Sequence, residues 1–255
     1  TCALPIWTIE NNCTGSAYYV QIRTRAAGAT VVSKPGTVTQ IHSDGTNVTS
    51  LSKPHGNIAY AVNGTYSFVV PAGVTRIRYT VTGAGGSGSG CQASSSSESY
   101  SGGGGGAGGT ALGWLDVVPG TTLSVVVGKG GAAVSGAVSG NDGGDSSLGG
   151  IIFGRGGKKS NKASIVNSAG GDGGVASGGD VNIQGGTGQD GQAATNMLTG
   201  SGGASFWGGG GRSGATGGVK GKAAGSGGGG AYDIDFSGIA YPSGDGADGI
   251  VHIEW

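Results

Sequence analysis

Short apolar stretches recur along the chain with a period of two, never of three and a half. "PIWTIENN" and "SAYYVQIRT" near the N-terminus carry aromatic and β-branched residues bounded by Asn and Gly, which predicts short strands. "TVTQIHSDGTNVTSL" predicts a hairpin, with Asp44-Gly45 as a preferred two-residue turn between alternating segments. Lys53-Pro54-His55-Gly56 is punctuation. From residue 65 the pattern changes. "TYSFVVPAGVTRIRYTVTGAGG" predicts two strands around Pro71–Gly73, and "TALGWLDVVPGTTLSVVVGKGG" predicts a hairpin over 111–127 around Pro119-Gly120. "GDSSLGGIIFGRGG" predicts a shorter hairpin over 146–153, and "GADGIVHIEW" a last strand. No segment has sustained helical periodicity. The expected fold is mainly β without significant α-helix. It divides into a small β module at 1–58 and a second domain at 59–255, in which a strand framework carries a glycine-rich sandwich with distal loops.

Composition explains what lies between the strands. Of 255 residues, 63 are glycine; seven precede residue 83 and the other 56 fall within 83–249. Collagen would need a strict Gly-X-Y period and much proline, and the chain has only six prolines. A flexible Gly/Ser linker would not alternate with strands or end on "GIVHIEW". A packed polyglycine II arrangement fits both facts. That helix is extended, has three residues per turn and makes no internal hydrogen bonds. Neighbouring helices can therefore pair its backbone groups, but only where no side chain blocks their approach. Runs 102–109, 208–211 and 225–230 are the expected interior rods. If the rods run up and down, hairpins 111–127 and 146–153 share one end. Distal loops then fall at 91–101, 132–142, 158–168, 192–199, 212–216 and 231–243, with proximal turns near 175–178, 205–207 and 222–224.

Net charge is zero and charged residues make up 11%, which does not favour a nucleic-acid partner. Cys2, Cys13 and Cys91 show no metal-ligand spacing, and reduced thiols are expected. No apolar run approaches the ~20 residues of a membrane-spanning helix. A chain that begins with Thr is expected to be part of a longer one.

The pieces "YSFVVPAGVTRIRYTVTGAGG", "GGGGGAGG" before "LDVVPGTTLSVVVGKGG", "GGASFWGGGGR" and "GADGIVHIEW" resemble, in that order, the glycine-rich C-terminal domain of bacteriophage tail-fibre proteins. Residues 1–52, with "HSDGTNV", are similar to a short β module of such fibres. The resemblance implies a receptor-binding tip, non-enzymatic, at the distal end of a tail fibre on a virion assembled in the host cytoplasm. Its partners would be a bacterial outer-membrane protein or lipopolysaccharide, and the upstream fibre. Related tip adhesins of T-even phages carry a polyglycine sandwich whose distal loops contact the receptor. The shaft-like N-terminal module here implies instead the end of a homotrimeric fibre.

Candidate contacts lie on the expected distal loops: Tyr100; the basic loop residues Lys158, Lys159 and Asn161, with Lys162 beside them; Met197; and Tyr232, Asp235, Phe236 and Tyr241. Aromatics beside carboxylates suit sugar stacking or protein docking, and lysines suit phosphate. Phe206 and Trp207 are read as structural, plugging the base of the rods. Asp142 with Asp145, or Asp245 with Asp248, are turn residues or a weak ion site. "GGTGQDGQA" occurs once, and calcium-binding repeats need tandem copies. No enzyme motif and no cofactor signature appears. Two other readings remain open: a polysaccharide-cleaving tail spike, whose carboxylate pair need not leave a motif, and a structural or ice-binding glycine protein.

Overall fold

The computed structural model describes residues 6–12, 20–24, 30–34, 37–43, 46–51, 54–192 and 200–255. Two compact units divide the chain, Thr1–His55 and Gly56–Trp255. In the first, β1 (Ile6–Asn11) pairs with β4 (Thr37–Ser43), and β4 with β5 (Val48–Ser50), all antiparallel. β2 (Val20–Ile22) pairs separately with β3 (Val31–Ser33). The β4–β5 pairing is that of the expected hairpin, whose Asp44-Gly45 turn lies outside the described residues. The second unit begins slightly before the expected boundary. β6 (Asn57–Tyr60) pairs with the C-terminal strand, and Gly56 exchanges both backbone hydrogen bonds with Trp255.

The second unit is built on two five-stranded antiparallel sheets. β7 (Gly64–Val69), β10 (Thr122–Val127), β11 (Ser146–Leu148), β12 (Ile152–Gly154) and β13 (Ala176–Ser177) make one, in the order β13-β12-β11-β10-β7. β8 (Arg76–Thr82), β9 (Thr110–Asp116), β14 (Val181–Ile183), β15 (Ile250–Glu254) and β6 make the other, in the order β14-β9-β8-β15-β6. Alternate residues of the facing sheets form one core. Phe68, Val125, Val127, Leu148 and Ile152 come from the first sheet, and Ile77, Tyr79, Val81, Val251 and Ile253 from the second. Among the described residues no helix occurs.

One expectation is corrected. The 111–127 segment is not a hairpin: β9 pairs with β8 and β14, whereas β10 pairs with β7 and β11. The Pro119-Gly120 turn is an arch that carries the chain across the sandwich, and Pro71–Gly73 is another. The two arches hold each other, with Val70 N–H donating to Thr121 O and Gly120 N–H to Val70 O. Val70 and Val74, on either side of Pro71–Gly73, are buried, whereas Val69 and Val118 are exposed. The 146–153 hairpin is as expected, with Gly149 and Gly150 at φ +62° and +68° supplying the left-handed turn.

Above the sandwich the chain continues out of both sheets as extended segments without strand ladders. Segment 83–91, leaving β8, shows the rule. Residues 83, 86 and 89 donate to 109, 106 and 103; residues 84, 87 and 90 to 144, 141 and 138; residues 85, 88 and 91 to 247, 244 and 241. The hydrogen bonds thus have a period of three, and each face of the segment has its own antiparallel neighbour. Segment 102–109 is the centre of the array. Its amides reach 225–231, 186–189 and 155–158, while its carbonyls receive bonds from 83–89, 171–174 and 203. The amide that misses a backbone partner, on Gly103, donates to Ser89 Oγ at 2.9 Å.

Glycine is required there by contact. A Cβ on Gly105 would fall inside the radius of Gly86 O, and one on Gly106 inside that of Asp172 O. Run 225–230 is likewise buried, but 208–211 is not an interior run: Gly209 is exposed and a Cβ on it would meet nothing. A net hydrogen bond is worth ~0.5–1.5 kcal/mol. Fixing a glycine instead of an alanine costs ~0.5–1 kcal/mol. The array therefore gains little by itself, and the apolar core beneath it supplies the anchor, with each buried Val, Leu or Ile contributing ~1.5–3 kcal/mol.

Candidate functional site

Because 83–91 is antiparallel to 102–109, 138–144 and 241–247, the connecting loops fall at the end remote from the sandwich. Isolated bridges tie them there: Cys91 with Tyr241, Ser101 with Tyr232, Ser135 with Pro242, Asn161 with Ala169 and Gly214 with Ala231. The turns at 205–208 and 223–225 lie at the sandwich end, where Trp207 Nε1 donates to Thr82 Oγ1 at 2.9 Å and Gly225 N–H to Asp248 O.

The distal loops have a small core of their own. Cys91, Ala93, Tyr100 and Ala231 are buried, and Phe236 and Tyr241 pack against them. Tyr100 and Phe236 meet edge to face at 5.5 Å. Asp233, 2% exposed, accepts from the amides of Ala93 and Ser237 and from the Ser237 hydroxyl. This knot holds Phe236 at φ +50°, a left-handed conformation unusual for its side chain. Burial pushes the Cys91 thiol up to about 11, against the pull of the Lys162 ammonium.

The predicted contact residues therefore separate into different environments. Tyr100 is interior, 5% exposed, and its ring serves the knot. Tyr232, Phe236 and Tyr241 are half-buried. Asp235, Lys158, Lys159 and Asn161 are exposed. Lys158 is not a solitary cation, because its Nζ lies 3.0 Å from Asp142 Oδ2. Met197 lies outside the described residues.

Sequence reasoning missed the exposed aliphatics of the same loops. Val138, Ile165, Val166, Ile234 and Ile239 are all exposed, Ile165 to 71% and Ile239 to 55%. Aromatic content drew attention to groups that pack inward. The informative signal was an aliphatic residue in a polar loop with no strand to bury it. Phe206 is 51% exposed, so it caps rather than plugs the base, edge-on to Trp207 at 5.3 Å.

The acidic pairs serve the array. Asp142 Oδ1 and Asp145 Oδ1 accept the amides of Lys159 and Gly156, each at 2.8 Å. Asp245 Oδ1 and Asp248 Oδ1 accept those of Ala133 and Gly130, each at 2.7 Å. Two carboxylates three residues apart thus clasp two amides three residues apart, where no backbone neighbour is present. Among the described residues no group of three or more His, Cys, Asp or Glu is placed to hold a metal.

A comparison with curated proteins gave no match. A family model described as "Glycine-rich domain" matches residues 61–255, the whole array together with nearly all of its sandwich, and the chain belongs to that glycine-rich family.

Proposed function

We propose that the chain is the receptor-binding tip of a bacteriophage tail fibre, with the extended glycine segments acting as polyglycine II rods that hold variable loops against a bacterial surface. The observation that carries this reading is the division of labour along the second unit. One end is an apolar sandwich, and the other gathers, among the described residues, loops from five places in the sequence above a lattice made of backbone. Loop residues can change without disturbing backbone-to-backbone bonds, which is what a surface that must track a varying receptor requires. The exposed aliphatics beside Asp235, Lys159 and Asn161 make a mixed apolar and polar face of the kind found at protein interfaces. In this reading the protein is non-enzymatic, acts on the virion after assembly in the host cytoplasm, and meets an outer-membrane protein or lipopolysaccharide.

A homotrimer formed through the N-terminal unit fits the same picture. Among its described residues only Ile41 and Val48 are buried large apolar side chains, whereas Ile6, Trp7, Val20, Val32, Val38 and Leu51 are exposed. A 55-residue unit whose described residues expose this much apolar surface gains by covering it with further copies. Sedimentation equilibrium should give a mass three times that of one chain; a monomer at micromolar concentration would contradict the trimer.

The binding test uses fluorescently labelled protein on a panel of Gram-negative strains. Replacing the whole 231–243 loop would remove the buried knot, so the variant is Ile234→Ser/Asp235→Lys/Ile239→Ser, all exposed positions. Strain-selective binding that falls at least tenfold in the variant is the expected result. Absence of binding to every strain, with shortening of surface polysaccharide, would favour a depolymerase instead.

A further inference from the structure

Three distal loops enclose a pocket of about 290 Å³, lined among others by Gln92, Glu98, Ala137, Lys162, Ser164 and Ile165. Its polar groups are held in place before any ligand arrives. Glu98 Oε2 accepts the Ser94 amide at 2.7 Å, and Gln92 Nε2 donates to Gly238 O at 2.8 Å. Lys162 Nζ donates to the carbonyls of Ser99 and Ala163, and the Lys162 amide is fixed by Ser139 Oγ at 3.0 Å. The pocket therefore sits on the loop framework rather than on a loose tip.

We propose that this pocket is a subsite for a single neutral sugar residue, a hexose or N-acetylhexosamine, at the end of a bacterial surface glycan. The proposal rests on the receptor-binding reading above and adds the class of ligand and its place. Three properties select it. The size is at the small end of the ~300–1,000 Å³ of small-molecule sites, which suits one ring and not a chain. The charges balance: one carboxylate, Glu98, and one amine, Lys162, line the pocket, and burial holds the Lys162 amine below its ordinary value despite the nearby Glu98, so there is no net attraction for phosphate or uronate. The other cation of the basic loop that faces an acid, Lys158, is paired with Asp142. Finally, the lining combines donors and acceptors with apolar side chains. Lys162 can donate, Glu98 and the Gln92 carbonyl can accept, and the Ser164 hydroxyl can do both. Ala137 and Ile165 offer apolar surface to the C–H face of a ring or to an acetamido methyl.

The test is an array of immobilised glycans ending in neutral hexoses, N-acetylhexosamines, uronic acids or phosphorylated sugars, probed with the full chain. Two variants run beside it. Ile165→Arg places bulk and charge at an exposed wall, where folding is not at stake, and Glu98→Gln keeps the acceptor but unbalances the charge. The expected result is binding confined to neutral termini, at least tenfold weaker for Ile165→Arg. Glu98→Gln should weaken neutral binding and gain affinity for phosphorylated termini. Cell binding to the strain panel is measured in parallel. Strain-selective cell binding without neutral-glycan binding, or with Ile165→Arg unaffected, overturns the sugar subsite and leaves the tip reading standing. Cells left unbound together with an unbound array overturn both. Preference for uronate or phosphate termini overturns the neutral class.

Discussion

At the scale of single residues, this protein is decided by what a methyl group would touch. Gly105 lies in the middle of the central segment, and its missing Cβ is the space occupied by the Gly86 carbonyl. Gly209 has open space on the same side of its backbone. Gly105→Ala must push two segments apart and break bonds on more than one face. It is expected to cost ~3 kcal/mol or more, at or beyond the upper end of overpacking penalties. Gly209→Ala has no positive φ to strain it and restricts the unfolded chain, so it should be neutral or stabilising by up to ~1 kcal/mol. Chemical denaturation of the two variants checks the contrast; equal losses would mean that glycine serves flexibility here, not contact. The same scale explains why the exposed side chains of the loops were hard to identify in the sequence. Aromatic type drew attention to 231–243, but Tyr100 and Phe236 are consumed by the knot that gives that loop its shape. Exposure depends on which partner a residue finds, and Phe236, the ring that Tyr100 meets, lies more than 130 positions away.

At the scale of elements, two kinds of pairing meet. Strands bond to two neighbours in a plane, whereas the glycine segments bond to neighbours on three or more sides. The rim of such an array leaves amides without a backbone acceptor, and Asp side chains at i and i+3 supply it. Burial alone would raise the carboxyls of Asp142 and Asp248, but hydrogen bonds and cations outweigh it. The Lys159 amide and Lys158 act on Asp142, and the Gly130 amide and Asn63 on Asp248, so both are held below the usual carboxylate range. A group whose folded pKa is depressed stabilises the fold above its unfolded pKa and loses that contribution as pH falls through the folded value. Thermal melts should therefore drop as pH falls from about 5 through and below the usual aspartate pKa of about 3.9. The drop should be smaller in Asp142→Asn/Asp248→Asn, which keeps an acceptor without the titration. An unchanged pH profile in that variant would show that the clasps carry no charge-dependent stability. The longer strands, the lack of helix among the described residues and the up-and-down order of the segments were legible from the chain, because period-two runs and glycine blocks are local signals; the short β6, β13 and β14 were not. The arches were not. A Pro-Gly turn between two strands reads alike whether the strands pair or face each other. The choice is made by Val70 and Val74, which bury between the sheets, and by cross-arch bonds.

At the scale of the whole second unit, the apolar sandwich and the backbone lattice are complementary. The sandwich supplies stabilisation by burial, and the lattice, close to neutral in free energy, transmits that order to the loops. Exposed aliphatics at Val138, Ile165, Ile234 and Ile239 lie in the distal loops, and the sandwich end exposes apolar side chains too, among them Val62, Val118, Ile151, Trp114 and Val181. Apolar exposure does not choose between the ends; the proposed role assigns the receptor to the loop end because loops carried on a backbone lattice can vary in sequence while the sandwich cannot. Hydrogen exchange of the protein on outer-membrane vesicles from a strain it binds tests this most directly. Protection confined to 91–101, 132–142, 158–168 and 231–243, with β8 and β9 unchanged, is the predicted result. Protection centred on Trp114 and Val181, with the loops exchanging as in the free protein, would contradict it.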